Sequence, residues 1–311
     1  MCFIFSFSHI SHLNTPCLIL FHYHCLKYSV LYNHNFHTHT RYCDGIAEPE
    51  AYIKAALEAG LSSLGFSGHA PVPFDNGFSI RGQESLRAYC REIEMLREKY
   101  RGRINIFLSL EADYIPGITR DFSDFSEDYG LDYMIGSVHL VKNSDGDLWF
   151  IDGPERAPWI AGLEKLFGGK AREGVGNYFR QINEMIETQK PDVIGHLDKI
   201  KMHNRGEYFS EDEAWYLGMV RECLHLALEK HCIVEVNTRG LYKKRCDDLF
   251  PGTRILREMA GMKIPVCIST DAHRPEEVGL MLGTGTEALL AAGYREALIF
   301  TENGWKGIPL D

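Results

Sequence analysis

The chain has 311 residues and an apolar share of 45 %, enough for one large α/β domain with a filled core. Lysine and arginine number 33 against 43 aspartates and glutamates, a formal charge of −10. The charge is spread along the chain, so it reads as solubility and argues against nucleic-acid backbone as a partner. Nine cysteines occur with no CxxC pair, which fits a reducing, cytoplasmic setting and not a disulfide framework.

Residues 1–32 stand apart. They hold no acidic residue and one basic residue, Lys27. The positive n-region of a secretory signal is missing, and His, Ser and Pro16 interrupt the stretch, so it makes a poor membrane span. The segment is expected to lie outside the folded domain, which then runs from 33 to 311. It is expected to be upstream sequence read as protein, with the start near Val30 or Leu31. Its histidines His9, His12, His22 and His24 have no strand-end context.

In chain order, seven short apolar runs each end in a metal-type ligand. Run 35–39 carries His37 and His39, 64–69 ends in His69, and 106–111 ends in Glu111. Run 134–139 ends in His139 and 193–196 in His196. Run 233–237 carries Glu235 and Asn237, and 266–273 carries Asp271 and His273. Each reads as a buried strand. Between them lie helical patterns at 51–59, 83–100, 177–188, 210–230 and 252–260. Glu48-Pro49-Glu50 marks the first start, and Ser210 with Glu213 forms a capping signature. Strand–helix alternation implies right-handed crossovers and a parallel sheet. Closed into a barrel, that sheet brings all seven endings to one rim, where barrel enzymes keep their chemistry. The glycine- and proline-interrupted stretch 142–176 reads as irregular, either a lid over that rim or a plain surface excursion.

Strand side chains alternate, so His37 and His39 share a face, as do Asp271 and His273, Glu111 and Asp113, and Glu235, Asn237 and Arg239. Imidazole with carboxylate suits zinc, iron or manganese. Singly, each residue has a bland alternative. His69 could be a hydrogen-bonded loop residue, His139 and His196 satisfied buried histidines, and Glu111 and Asp271 helix caps. Jointly, at one rim, they read as a multinuclear metal centre. His203, His225 and His231 lack that context and are assigned to surface or helix packing. Cys43, beside Asp44, reads as a passive small residue.

The series His37-Thr38-His39-Thr40, Asp44-Gly45, Gly68-His69, Glu111-Ala112-Asp113, Gly136-Ser137-Val138-His139, Gly195-His196-Leu197-Asp198, Glu235-Val236-Asn237-Thr238 and Ser269-Thr270-Asp271-Ala272-His273 resembles the polymerase and histidinol phosphatase (PHP) superfamily. More narrowly, it resembles the monofunctional histidinol-phosphatase branch. The resemblance implies a distorted seven-stranded (β/α)7 TIM-like barrel with a trinuclear metal site at its C-terminal rim. It implies that His37, His39, Glu111 and Asp271 hold the first of three divalent ions. Glu111 would bridge to a second ion held by His139 and His196, and Asp44, His69 and His273 would hold a third. Many relatives have histidine where this chain has Asp44. The implied reaction is hydrolysis of L-histidinol phosphate in histidine biosynthesis. The alternatives are another small-monoester phosphatase, a proofreading-type exonuclease and a non-catalytic metal binder. The expected partner is a small phosphorylated substrate, with neither nucleic acid nor membrane, and the sequence leaves oligomeric state open. Arg239 is expected to clamp phosphate and Lys201 to assist. Asp113 is expected to receive the substrate's amine. Asp198 is expected either to orient a ligand histidine or to act as leaving-group acid.

Overall fold

The computed structural model describes residues 32–311. Its strands are β1 (His34–Asn35), β2 (Ser63–His69), β3 (Asn105–Asp113), β4 (Tyr133–Ser137), β5 (Leu140–Lys142), β6 (Leu148–Phe150), β7 (Val193–Ile194), β8 (Ile233–Asn237), β9 (Val266–Ser269), β10 (Glu296–Thr301) and β11 (Gly304–Pro309). The helices are α1 (Pro49–Glu58), α2 (Gly82–Lys99), α3 (Phe122–Tyr129), α4 (Arg156–Phe167), α5 (Ala171–Gln189), α6 (Ala214–Glu229), α7 (Arg239–Tyr242), α8 (Thr253–Met262) and α9 (Leu282–Ala292). Seven strands form one sheet in the order β1-β2-β3-β4-β7-β8-β9, with every pairing parallel. A parallel bridge between Thr38 and Ala272 joins the two edges into a barrel.

The seam is held by side chains as much as by backbone. His39 N donates to Ala272 O at 2.8 Å and Ala272 N to His37 O at 3.1 Å. The buried Asn35 amide accepts from Thr270 N at 3.1 Å and donates to Thr270 Oγ1 at 2.9 Å. Substituting for ladder bonds in this way lets β1 shrink to two residues; β7, between β4 and β8, is equally short, and the barrel is distorted. The long strands are buried along nearly their whole length, because helices cover the outside and side chains fill the inside.

The N-terminal mouth is plugged by the antiparallel hairpin β10–β11. Phe300 and Trp305 pack on Phe36, Phe107 and Tyr133, with ring centroids 5.0–5.6 Å apart. Tyr133 sends its hydroxyl to Phe36 O at 2.5 Å across the barrel interior. Gly65 makes room for it, since a Cβ there would stand 1.9 Å from that oxygen. The chemistry is thereby confined to the opposite rim.

The expected extension lies outside the described residues except for Tyr32. That ring is fully buried, and its hydroxyl donates to Leu298 O at 2.9 Å and accepts from Ile268 N at 3.1 Å. Among the described residues, packing thus includes the residue just before the expected boundary. The five expected helices are present, though α5 starts at Ala171, six residues earlier than its pattern indicated. Glu213 accepts from Ser210 N at 2.9 Å, but α6 starts only at Ala214, so Ser210 is not its cap. Stretch 142–176 is not irregular: hairpin β5–β6 and helix α4 occupy most of it. Gly162 interrupts the helical pattern there because Trp149 lies against it, 2.1 Å from where a Cβ would be. Among the described residues no helix is long and apolar enough to cross a membrane.

Candidate metal centre

Glu111 lies near the end of β3 beside His69 of β2, to which it is paired in register. Five imidazoles surround its carboxylate. His37 Nε2 lies 3.2 Å away, His39 Nε2 3.4 Å, His69 Nδ1 3.1 Å, His139 Nε2 3.6 Å and His196 Nε2 2.9 Å. Asp271 Oδ1 is 3.3 Å from His39 Nε2 and 3.8 Å from His37 Nε2. Asp44, from the loop after β1, meets His273 at 3.1 Å, His39 at 3.6 Å and His69 at 3.8 Å. All nine residues expected to hold ions thus converge on one small volume. His196 and Asp271 reach it with left-handed backbone, φ 25° and 51°, a strain that proteins retain where function needs it.

The donor set fits divalent cations. Two ligand atoms sharing an ion stand about 3–4 Å apart, given metal–ligand bonds of about 2.0–2.3 Å. The nitrogen–oxygen separations fall in that range. His37 Nε2, His39 Nε2 and His69 Nδ1 are buried, face carboxylate oxygens and make no hydrogen bond. Burial pushes His39 and His69 down to about 4, so both rings are neutral. Burial also opposes charge on His37, but Glu235, Glu111 and Asp271 outweigh it and hold that ring well above its ordinary range. Glu111 is buried against His39, His69 and His196, all held toward their neutral forms by burial, an arrangement that suits positive ions.

A second ring of groups fixes the first. Glu235, fully buried, accepts from His37 Nδ1 at 2.6 Å and from His196 N at 2.8 Å, and is held by Asn237 at 3.0 Å and by Ser269. Ser137 donates to Glu111 at 2.6 Å. Gly195 permits that bond, because a Cβ there would lie 2.3 Å from the Ser137 hydroxyl. Asp113 accepts from His139 N at 2.7 Å and faces His139 Nδ1 at 3.1 Å. It is buried with both oxygens on His139, and so is placed to orient that ring.

Two expectations change. Lys201 is buried, 2.8 Å from Asp198 and 3.2 Å from Glu211, and lines a separate cavity with Arg205 and Lys244. Asp198 accepts from Gly252 N at 3.0 Å and contacts no ligand histidine. The pair fastens the strand-end turn to the segment before α8. The lysine at the centre is Lys199, buried with its Nζ 2.8 Å from Asp152 and 3.7 Å from Asp271. Asp152 and Arg245 also escaped sequence reading. Asp152 follows β6 and stands 3.8 Å from His139 Nε2, and Arg245 reaches within 4.0 Å of Asp152. Arg239 opens α7, just past the end of β8. Its Nε is 3.8 Å from Asp271 Oδ2, and it lines a cavity of about 100 Å³ with Asp44, His139, Arg245 and His273. His203 is buried and faces Gly153 O at 3.2 Å, bracing the loop after β6 rather than lying at the surface. Cys43 Sγ lies 3.5 Å from His39 Nδ1, and burial pushes its thiol up to about 12, consistent with a passive residue.

Residues 35–239 match the PHP domain family, a span holding every proposed ligand except Asp271 and His273. A Deinococcus radiodurans protein named a probable histidinol-phosphatase is 30% identical over 83% of this chain and 93% of its own. The histidinol-phosphatase of Bacillus subtilis is 29% identical over 78% and 94%. Among solved structures, a candidate histidinol phosphatase of Listeria monocytogenes shares the fold at TM-score 0.70 and 22% identity, covering 81% of this chain and 99% of that one. The chain belongs to the PHP domain family, within its histidinol-phosphatase branch.

Proposed function

We propose that the chain is a metal-dependent phosphomonoesterase that hydrolyses L-histidinol phosphate to L-histidinol and phosphate. The observation that carries this reading is the set of five imidazoles around Glu111, three of them with inward ring nitrogens that make no hydrogen bond. The histidinol-phosphatase relatives support the substrate, as does a Lactococcus lactis histidinol phosphate phosphatase of related fold, solved with zinc, L-histidinol and phosphate. His37, His39, Asp44, His69, Glu111, His139, His196, Asp271 and His273 hold the ions. When bound, divalent ions acidify water and offset the charge gathering on phosphate oxygens. Everything else is the chain's work. Glu235 and Asp113 accept the Nδ1 protons of His37 and His139, so each Nε2 faces inward and would offer its lone pair to an ion that displaces its proton. Arg239 presents its planar fork to the cavity and to the phosphate oxygens, and Asp271 and Glu277 keep it aimed. Lys199, held between Asp152 and Asp271, adds a second buried cation beside the phosphate.

A steady-state assay on L-histidinol phosphate, with elemental analysis of the same sample, tests the reading. Bound zinc, iron or manganese and kcat/KM well above that for nucleoside monophosphates and phosphotyrosine are expected. Absence of turnover by metal-loaded protein overturns it, and preference for another monoester reassigns the substrate.

A further inference from the structure

The cavity over the metal centre has one wall unlike the others. Asp44, His69, His139, Asp152, Arg239, Arg245 and His273 make most of the lining ionic or polar, while Phe78, Phe150 and Pro154 make one side apolar. The rings of Phe78 and Phe150 stack with centroids 5.8 Å apart and planes 12° from parallel. Phe78 also stands edge-on to His69 at 5.1 Å, so the pair begins directly beside a proposed ligand.

The rings come from unrelated parts of the chain, and each is fixed in place. Phe78 sits in the loop after β2, where Asn76 Oδ1 accepts from Phe78 N at 2.9 Å and from Ser79 N at 2.8 Å. Ile80 N then closes the loop on His69 O at 3.0 Å. Phe150 ends β6 opposite Leu140 in register, and Ile151 N binds His139 O at 2.9 Å. Gly153 turns there with φ 97°, and a Cβ on it would meet the Phe150 ring at 3.2 Å. Both loops are thus tied to the residues that close the metal centre. The charged side of the cavity takes the phosphate, so the rest of the ester must lie along the aromatic side.

We infer that Phe78 and Phe150 are specificity-determining residues, a stacking wall for the leaving alcohol that favours monoesters whose alcohol carries a planar ring. The wall has this role only if the cavity hydrolyses phosphate monoesters, as proposed above. An imidazole-bearing alcohol belongs to the class it selects. Aromatic faces discriminate planar rings from saturated ones by shape and quadrupole, and a paired face does so without any hydrogen bond.

The test compares 2-phenylethyl phosphate with 2-cyclohexylethyl phosphate, two monoesters of equal carbon number and similar alcohols, alongside L-histidinol phosphate. The metal-loaded protein should prefer the phenyl ester about fivefold in kcat/KM, the ratio that about 1 kcal/mol supplies. Phe78→Leu and Phe150→Leu keep apolar bulk but remove the flat face. They should bring the ratio toward one by raising KM for the phenyl ester, whereas Phe78→Tyr and Phe150→Tyr should keep it. No ring preference in the parent protein, or preference retained in both leucine variants, overturns the inference. Ring preference without turnover of L-histidinol phosphate removes the substrate assignment and leaves the wall standing. Turnover of L-histidinol phosphate without ring preference does the reverse, and turnover of none of the three overturns both.

Discussion

Glu235 touches the backbone of one proposed ligand and the ring of another, so its charge and shape both matter. Glu235→Gln keeps the shape but can turn an N–H toward His37 Nδ1. Metal content and kcat should fall about 10- to 100-fold with the fold retained, as measured by elemental analysis and steady-state kinetics. The two lysines after Asp198 make a paired prediction. Lys201→Met strands Asp198 without its buried partner and should cost about 3–5 kcal/mol in denaturant unfolding, while kcat per loaded molecule stays near normal. Lys199→Met should do the opposite, raising KM and lowering kcat with less loss of stability. The convergence of the nine proposed ligands was legible because strand ends in a parallel barrel share a rim and strand side chains alternate. The choice between Lys199 and Lys201 was not. Both lie in one turn of 3₁₀ helix, where positions two apart differ by about 240° and face different surroundings. Asp113 was read by type and face alone, and its pairing with His139 depends on how the chain leaves β4.

At the scale of elements, the hairpin β10–β11 supports the barrel without approaching the ions. Trp305→Ala removes a half-buried ring from the mouth plug and should cost about 3 kcal/mol, the low end for a large aromatic. Activity measured well below the melting temperature should be unchanged, as a thermal scan alongside the phosphatase assay will check. The long helices were legible from their apolar spacing, and α2 came out within one residue at each end of its pattern. Helix α4 was hidden because Pro158, Gly162 and the Gly168-Gly169 pair break its periodicity. Pro158 is tolerated in the first turn, where its missing N–H costs nothing. Gly162 answers to Trp149, a tertiary contact that local pattern cannot reveal. Asp152 stayed hidden for the same reason: its segment was read as a loop, so the hairpin that carries it over the rim was missing.

For the whole molecule, buried ring nitrogens face carboxylates at the centre without a hydrogen bond, and bound cations should stabilise the fold as well as run the reaction. Dialysis against a chelator should abolish turnover and lower the melting temperature. Returning the metal should restore both, by about 4 kcal/mol at a thousandfold excess over Kd. Failure of stability to respond would place the ions outside the buried cluster. The barrel's seam has a temporal consequence. His37 and His39 emerge from one side of the Thr38–Ala272 bridge and Asp271 from the other, 235 residues apart along Asn35 and Thr270 alone. During synthesis the early histidines wait for almost the entire polypeptide before their distant carboxylate arrives. Cation capture therefore acts as a clasp fastened last, and a ribosome-stalled or prematurely terminated product ending before β9 should emerge unable to retain its ions.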